Sequence, residues 1–134
     1  MILLIGVIAA NAQNRATYSL LPAATRMAGA NVTILKDKEI VVRFAEKGIS
    51  YKIFYDRSGA WQHTVSSYGE EGLPAAVRDQ VKSVYHQWNI SFVDEVDGPE
   101  SDPVYRIQLH RDNRLLIVKL SGDQMETEKE LISL

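Results

Sequence analysis

The sequence predicts an α+β domain: an antiparallel β-sheet with one clear helix (about residues 74–88) packed on one face, arranged as a tandem pseudo-repeat of helix-plus-hairpin units. Three observations predict it. Runs rich in β-branched and aromatic residues, broken by turn-forming stretches, lie on both sides of one helical segment. Within that segment the apolar residues recur at helical spacing. Finally, "YKIFYDRSGAW" (residues 51–61) and "YRIQLHRDNRL" (residues 105–115) share Tyr, a basic residue, Ile and a later Arg at one offset of 54 residues.

In chain order, "MILLIGVIAANAQ" places an apolar run ahead of Ala10-Asn11-Ala12, a small-x-small pattern. Residues 1–12 therefore read as a secretory signal with an incomplete basic start. The run is shorter than the roughly 20 residues that a spanning helix needs, so no stable membrane span is expected after cleavage. Residues 13–31 form an N-terminal segment in which Leu20, Leu21, Ala24 and Met27 can line a short helical face.

Strands begin at Val32. Val32 and Ile34 mark the first, and Ile40, Val42 and Phe44 one face of the second. "AEKG" reads as a hairpin connection, after which Tyr51, Ile53 and Tyr55 share a face. "DRSG" is a turn with Asp early and Gly late. It leads to a fourth strand that carries Trp61, His63 and Val65 on one side. Pro74 suits the first position of the helix, whose apolar stripe is Val77, Val81, Val84, Tyr85 and Trp88.

Beyond the helix, Ile90, Phe92, Asp94 and Val96 alternate to one side, then a polar loop spans residues 97–103. Tyr105, Ile107 and Leu109 line the next strand, with Arg106, Gln108 and His110 opposite. "RDN" is a tight turn, followed by a strand with Leu116, Val118 and Leu120 on one face. Residues 124–134 read as a polar tail or short helix.

The composition excludes several classes of function. At 134 residues the chain is one ordinary domain, and with 46% hydrophobic and 24% charged residues it can bury a core. A net charge of −2 without a basic stripe argues against nucleic acid as a partner. The absence of cysteine removes disulfides, thiol catalysis and thiolate zinc sites. His63, His86 and His110 have no partner at ligand spacing on their own elements, and the glycines occur singly, so neither a metal motif nor a phosphate loop is visible. Asp94, Glu95, Asp97, Glu100 and Asp102 form an acidic stretch of the kind that hard cations favour, but which more often is a solvated loop. No catalytic, cofactor or metal residue is assigned, and the expectation is a non-enzyme without a cofactor.

Aromatic placement is more informative. The third strand carries Tyr51 and Tyr55 on one face and Phe54 on the other. Rings that face away from a helix-covered side are the residue types that carry binding hot spots. Phe54, Tyr55, Trp61 and Tyr105 are the candidate partner-binding residues.

The order of these elements resembles the PepSY-like proteins of the periplasm, which are similar in fold to the beta-lactamase inhibitor protein. The resemblance is carried by "VVRF", "YKIFYDRSGAW", the Leu73-Pro74 helix start with its Val-rich continuation, "ISFVDEV", "YRIQLH" and the closing "LLIVKLSGD". It covers residues 32–123 as two half-repeats, 32–69 and 73–123. It implies a periplasmic or secreted, non-enzymatic module whose concave sheet binds another exported protein. The alternatives are a structural envelope protein without a tight partner, and a small-ligand binder with a cystatin-like pocket between helix and sheet. Oligomeric state is open.

Overall fold

Residues 30–132 are described by a computed structural model of the chain. The expected export signal and almost all of the 13–31 segment lie outside the described residues. Eight strands run in chain order through one sheet: β1 (Asn31–Ile34), β2 (Ile40–Glu46), β3 (Ile49–Tyr55), β4 (Trp61–Tyr68), β5 (Asn89–Asp97), β6 (Val104–Arg111), β7 (Arg114–Ser121) and β8 (Gln124–Ile132). Between β4 and β5 come a 3₁₀ turn, Glu70–Gly72, and one α-helix, α1 (Ala75–Val84).

This corrects the expected architecture. The described residues are mostly an eight-stranded antiparallel sheet, and tandem helix-plus-hairpin units are not seen. The helix is also shorter than its apolar stripe suggested. Tyr85 leaves helical dihedrals (φ −109°, ψ 48°), so the last residue of the stripe, Trp88, lies beyond the helix in a turn closed by Trp88 N–H donating to the Tyr85 carbonyl (3.0 Å). Residues 124–132, expected as part of a polar tail or short helix, form β8. An edge strand needs only one neighbour, and its exposed side chains can be polar throughout, so its sequence carries no apolar alternation.

The described residues divide into two units: residues 30–66 with 96–102, and residues 67–95 with 103–132. In the first, the β2–β3 register pairs Val42 with Ile53 and Phe44 with Tyr51. With Tyr55 and Trp61 these residues form one buried cluster, in which the Phe44 and Tyr51 rings stack at 5.0 Å. Burying each such side chain contributes about 1.5–3 kcal/mol. The two-residue turn Lys47-Gly48 takes φ 52° and 80°. Two consecutive left-handed positions match the right-handed twist of a hairpin, and glycine supplies the second without strain.

In the second unit, β6 pairs Tyr105 with Leu120, Ile107 with Val118 and Leu109 with Leu116 on β7. All six are buried. The helix contributes Val81, fully buried, and reaches the β7–β8 hairpin through Tyr85 Oη to Thr127 Oγ1 (2.9 Å) and Gln80 Nε2 to the Gly122 carbonyl (3.4 Å). Thr127 stands in register with Val118, so α1 lies on the side of the sheet where these apolar residues are buried. Val84, expected in the helix stripe, is instead 57% exposed.

Candidate functional site

The other face of the second unit carries no helix among the described residues. Strand alternation decides what lies on it. With Ile107, Leu109, Leu116 and Val118 turned inward, their neighbours turn outward, and the register aligns them in rows. One row is His110, Leu115 and Leu131; the next is Gln108, Ile117 and Lys129; the third is Arg106, Lys119 and Glu126. The register shifts between Ile117 and Val118, where Glu128 is an extra residue in β8. Arg106 Nε donates to Glu128 Oε1 at 2.9 Å, spanning β7. Both groups are substantially exposed, so this pair orders the surface more than it stabilises the fold.

Phe92 on β5 joins this face and is 43% exposed. Together with Asp94, Arg106, Gln108 and Ile117 it lines a cleft of about 70 Å³. A shallower hollow of about 340 Å³ lies by Leu115 and Leu131, walled by His110 and the β6–β7 turn. Leu131 is 46% exposed. Four apolar side chains, Phe92, Leu115, Ile117 and Leu131, thus share a face with a ring of charged and amide groups. An apolar centre with a polar rim is the anatomy of a protein-binding surface.

The four aromatic residues expected to make contacts lie elsewhere. Tyr55 is fully buried in the cluster of the first unit. Its hydroxyl is also buried and has no hydrogen-bond partner among the described residues, and burial pushes the phenol pKa far up. Trp61 is buried beside it and its indole N–H donates to Thr64 Oγ1 at 2.9 Å. Tyr105 is buried opposite Leu120. Phe54 alone of the four is partly exposed; its ring stacks on His63 at 4.2 Å with a 17° tilt. Burial pushes the His63 pKa down, partly offset by the Glu39 carboxylate.

Two expected alternations break. Trp61 and His63, read as one face, separate: Trp61 enters the core with Thr64, while His63 meets Phe54 on the opposite side of β3. Ile90 and Val93 are both buried while Phe92 is exposed, so the alternation of β5 slips by one residue and turns the Phe92 ring outward. Sequence reasoning missed Leu115, Ile117 and Leu131. One signal was available: "LLIV" in β7 is apolar at consecutive positions, so one face of that strand had to present apolar side chains away from the helix.

The acidic stretch is partly spoken for. Asp94 accepts from Ser67 Oγ (2.5 Å) and Glu95 from the Tyr68 hydroxyl (2.5 Å). Among the described residues no group of three or more His, Asp or Glu is placed to hold a metal ion, and no helix is long and apolar enough to cross a membrane.

Neither a family model nor a curated protein matches the chain. Solved structures do resemble it in fold. A DUF2874 family protein from Bacteroides ovatus aligns with a TM-score of 0.65 at 15% identity, covering 86% of each chain. A protein from Bacteroides eggerthii, provisionally described as periplasmic, aligns with a TM-score of 0.61 at 16% identity over 93% of this chain and 86% of its own. A second DUF2874 family protein, from Bacteroides uniformis, gives 0.59 at 16% identity over 83% and 86%.

Proposed function

We propose that the chain is a periplasmic, non-enzymatic binding module that engages another exported protein through the helix-free face of β5–β8 in its second unit. The observation that carries this reading is the exposure of Phe92 beside Leu115, Ile117 and Leu131 on a sheet face with a polar rim. Phe92 is part of a group of apolar side chains on one face rather than a lone exposed ring, and an aromatic anchor is the residue type that dominates protein interfaces. The periplasmic assignment draws on the apolar start with its small-x-small site and on the description of the Bacteroides eggerthii protein. The sequence resemblance to PepSY-like proteins points to the same class of exported, sheet-binding module.

Relative to the four aromatic residues named from sequence, the contact surface moves. Tyr55, Trp61 and Tyr105 support the fold, and Phe54 is held by His63. Phe92 takes the role of anchor.

A photoreactive side chain at position 92 or 117 tests the reading in cells that export the protein. The expected result is a discrete covalent adduct from both positions and none from Arg78, which lies on the exposed side of α1. Adducts of equal yield from all three positions, or from none, would remove the proposal.

A further inference from the structure

The two edge strands, β1 and β8, are built differently. β8 is guarded: Glu126, Glu128 and Glu130 recur at every second position, and the strand bulges at Glu128. Two β8 strands laid antiparallel set glutamate against glutamate, and like charges placed opposite each other repel. β1 has no such guard. It carries no charged residue, proline or bulge, and β2 is its one neighbour among the described residues. Its apolar side chains are in solvent, Val32 at 40% and Ile34 at 69% exposure. In the sheet register Val32 stands beside Val42 and Ile53, and Ile34 beside Ile40 and Tyr55. Both rows start in the buried cluster of the first unit and end exposed at β1. The backbone is open on the same side. Leu35 N–H donates to the Glu39 carbonyl (2.8 Å), so alternation bonds Thr33 to β2 and points the N–H and C=O of Val32 and Ile34 away from it.

We propose that β1 is a homodimer joint, filled by β1 of a second copy in antiparallel pairing about a two-fold axis at Thr33. Opposite residues must share a face of the sheet, so the two-fold axis is normal to it and passes through a residue pair. Centred on Thr33, the register sets Val32 of each copy against Ile34 of the other, and Thr33 against Thr33. It is the centring that engages the outward backbone groups of both Val32 and Ile34. The apolar row of Ile53, Val42 and Val32 then runs on into Ile34, Ile40 and Tyr55 of the second copy, and no charged residue lies in the joint. The edge that leaves apolar side chains and backbone groups open is thus the one whose sequence pairs with itself. This joint belongs to the first unit and does not depend on the docking face of the second.

The strand is short and the joint therefore small, with an expected dissociation constant of about 0.1–1 mM. Translational diffusion measured by NMR should slow from that of a monomer toward that of a dimer as the concentration rises to about 1 mM. Ile34→Lys replaces an exposed side chain, so the fold is kept, and it should weaken association more than about tenfold. The chain has no cysteine, so a single one reports the register. In the proposed pairing Thr33 is a non-hydrogen-bonded pair, whose Cα atoms lie about 4.5 Å apart, within the span of a disulfide. In a glutathione redox buffer Thr33→Cys should form a disulfide-linked dimer. Val32→Cys, whose two copies lie two positions out of register, and Lys129→Cys on β8 should stay unlinked.

A chain that stays monomeric up to about 1 mM would overturn the second copy as occupant and leave the edge to a strand of another protein. Association that Ile34→Lys does not weaken would place the joint elsewhere and overturn the proposal. Linkage at position 32 or 129 as ready as at position 33, or none at 33, would overturn it equally.

Discussion

The two echoing hairpins are alike on one face and unlike on the other. In the first unit Tyr51, Ile53 and Tyr55 point into the core; in the second Tyr105, Ile107 and Leu109 do the same. Ile53 and Ile107 are both fully buried, each opposite a valine, Val42 and Val118. On the reverse face the copies diverge. Phe54 is covered by the His63 ring, while the corresponding Gln108 stands beside a half-buried Ile117 and near the exposed Phe92. A repeated inward pattern with a divergent outward one is what a shared scaffold carrying a site on one copy looks like.

The strongest way to break this comparison is through the inward isoleucines. Ile53→Ala and Ile107→Ala each remove three buried carbons' worth of packing and should each cost about 3 kcal/mol. Denaturant unfolding monitored by tryptophan fluorescence measures this. A cost at one site several times that at the other would mean that the echo is a sequence coincidence rather than an equivalent support.

The outward phenylalanines should differ where the isoleucines agree. Phe54→Ala loses a stacked, half-buried ring and is expected to cost about 2 kcal/mol. Phe92→Ala removes an exposed ring and should change stability by less than about 0.5 kcal/mol. If Phe92→Ala destabilises as much as Phe54→Ala, the Phe92 ring supports the fold and is not a free contact residue.

These pairs also show what was legible in the sequence. The inward residues of β2, β3, β6 and β7 follow from alternation, because a half-buried strand must place its apolar side chains at every second position. The turns at Lys47-Gly48 and at Asp56 follow from residue type. What the sequence hid was the consequence of slips: one residue in β5 exposes Phe92, and a change of face within β4 parts Trp61 from His63. A one-residue shift exchanges inside for outside, and nothing local in "NISFVDEV" marks where it falls. β8 was hidden for a different reason. Its side chains are mostly charged and exposed, and its strand character comes from backbone pairing with β7, which is tertiary. The aromatic residues named as contacts stood in strands as expected, but an aromatic residue in a strand is as suited to a core as to a surface, and Tyr55, Trp61 and Tyr105 took the core.

The two turns predict effects of opposite sign. In the first hairpin Asp56 organises the loop: its Oδ1 accepts from Ser58 N (2.8 Å), Ser58 Oγ (2.6 Å) and Ala60 N (3.0 Å), and these bonds hold its pKa below the usual carboxylate value. In the second, Asp112 occupies a left-handed position at φ 52° in a two-residue turn. Asp56→Gly should therefore destabilise by about 1 kcal/mol through lost hydrogen bonds. Asp112→Gly should be neutral or stabilise by up to about 0.5 kcal/mol, since glycine adopts that dihedral freely. Thermal unfolding separates the two, and destabilisation of similar size at both sites would show that Asp112 also organises its loop. The sign of the Asp56 contribution with pH is fixed by its depressed value. It is present above the unfolded carboxylate range near pH 4 and is lost as the pH falls through the lower folded value.

The smallest effect concerns His63, which has no aromatic counterpart in the second copy. Desolvation against Phe54 lowers its pKa, and the Glu39 carboxylate raises it by less. The folded state therefore binds its proton less readily than the unfolded chain does. For such a group the stabilising contribution is complete above the unfolded value, near pH 6.5, and declines as the pH falls through the folded value below it. Because the ring is only partly buried, the loss between pH 7 and pH 5 should amount to a few tenths of a kcal/mol. His63→Phe keeps a ring over Phe54 and removes the titration, so its stability relative to the parent should rise by that amount on acidification and stay flat above pH 7. A difference independent of pH would mean that Glu39 cancels the effect of burial, and one that grew toward alkaline pH would mean that Glu39 dominates at His63. Phe54 would then be covered by a histidine that the fold prefers charged, and the first copy's outward face would be an electrostatic surface rather than a closed apolar one.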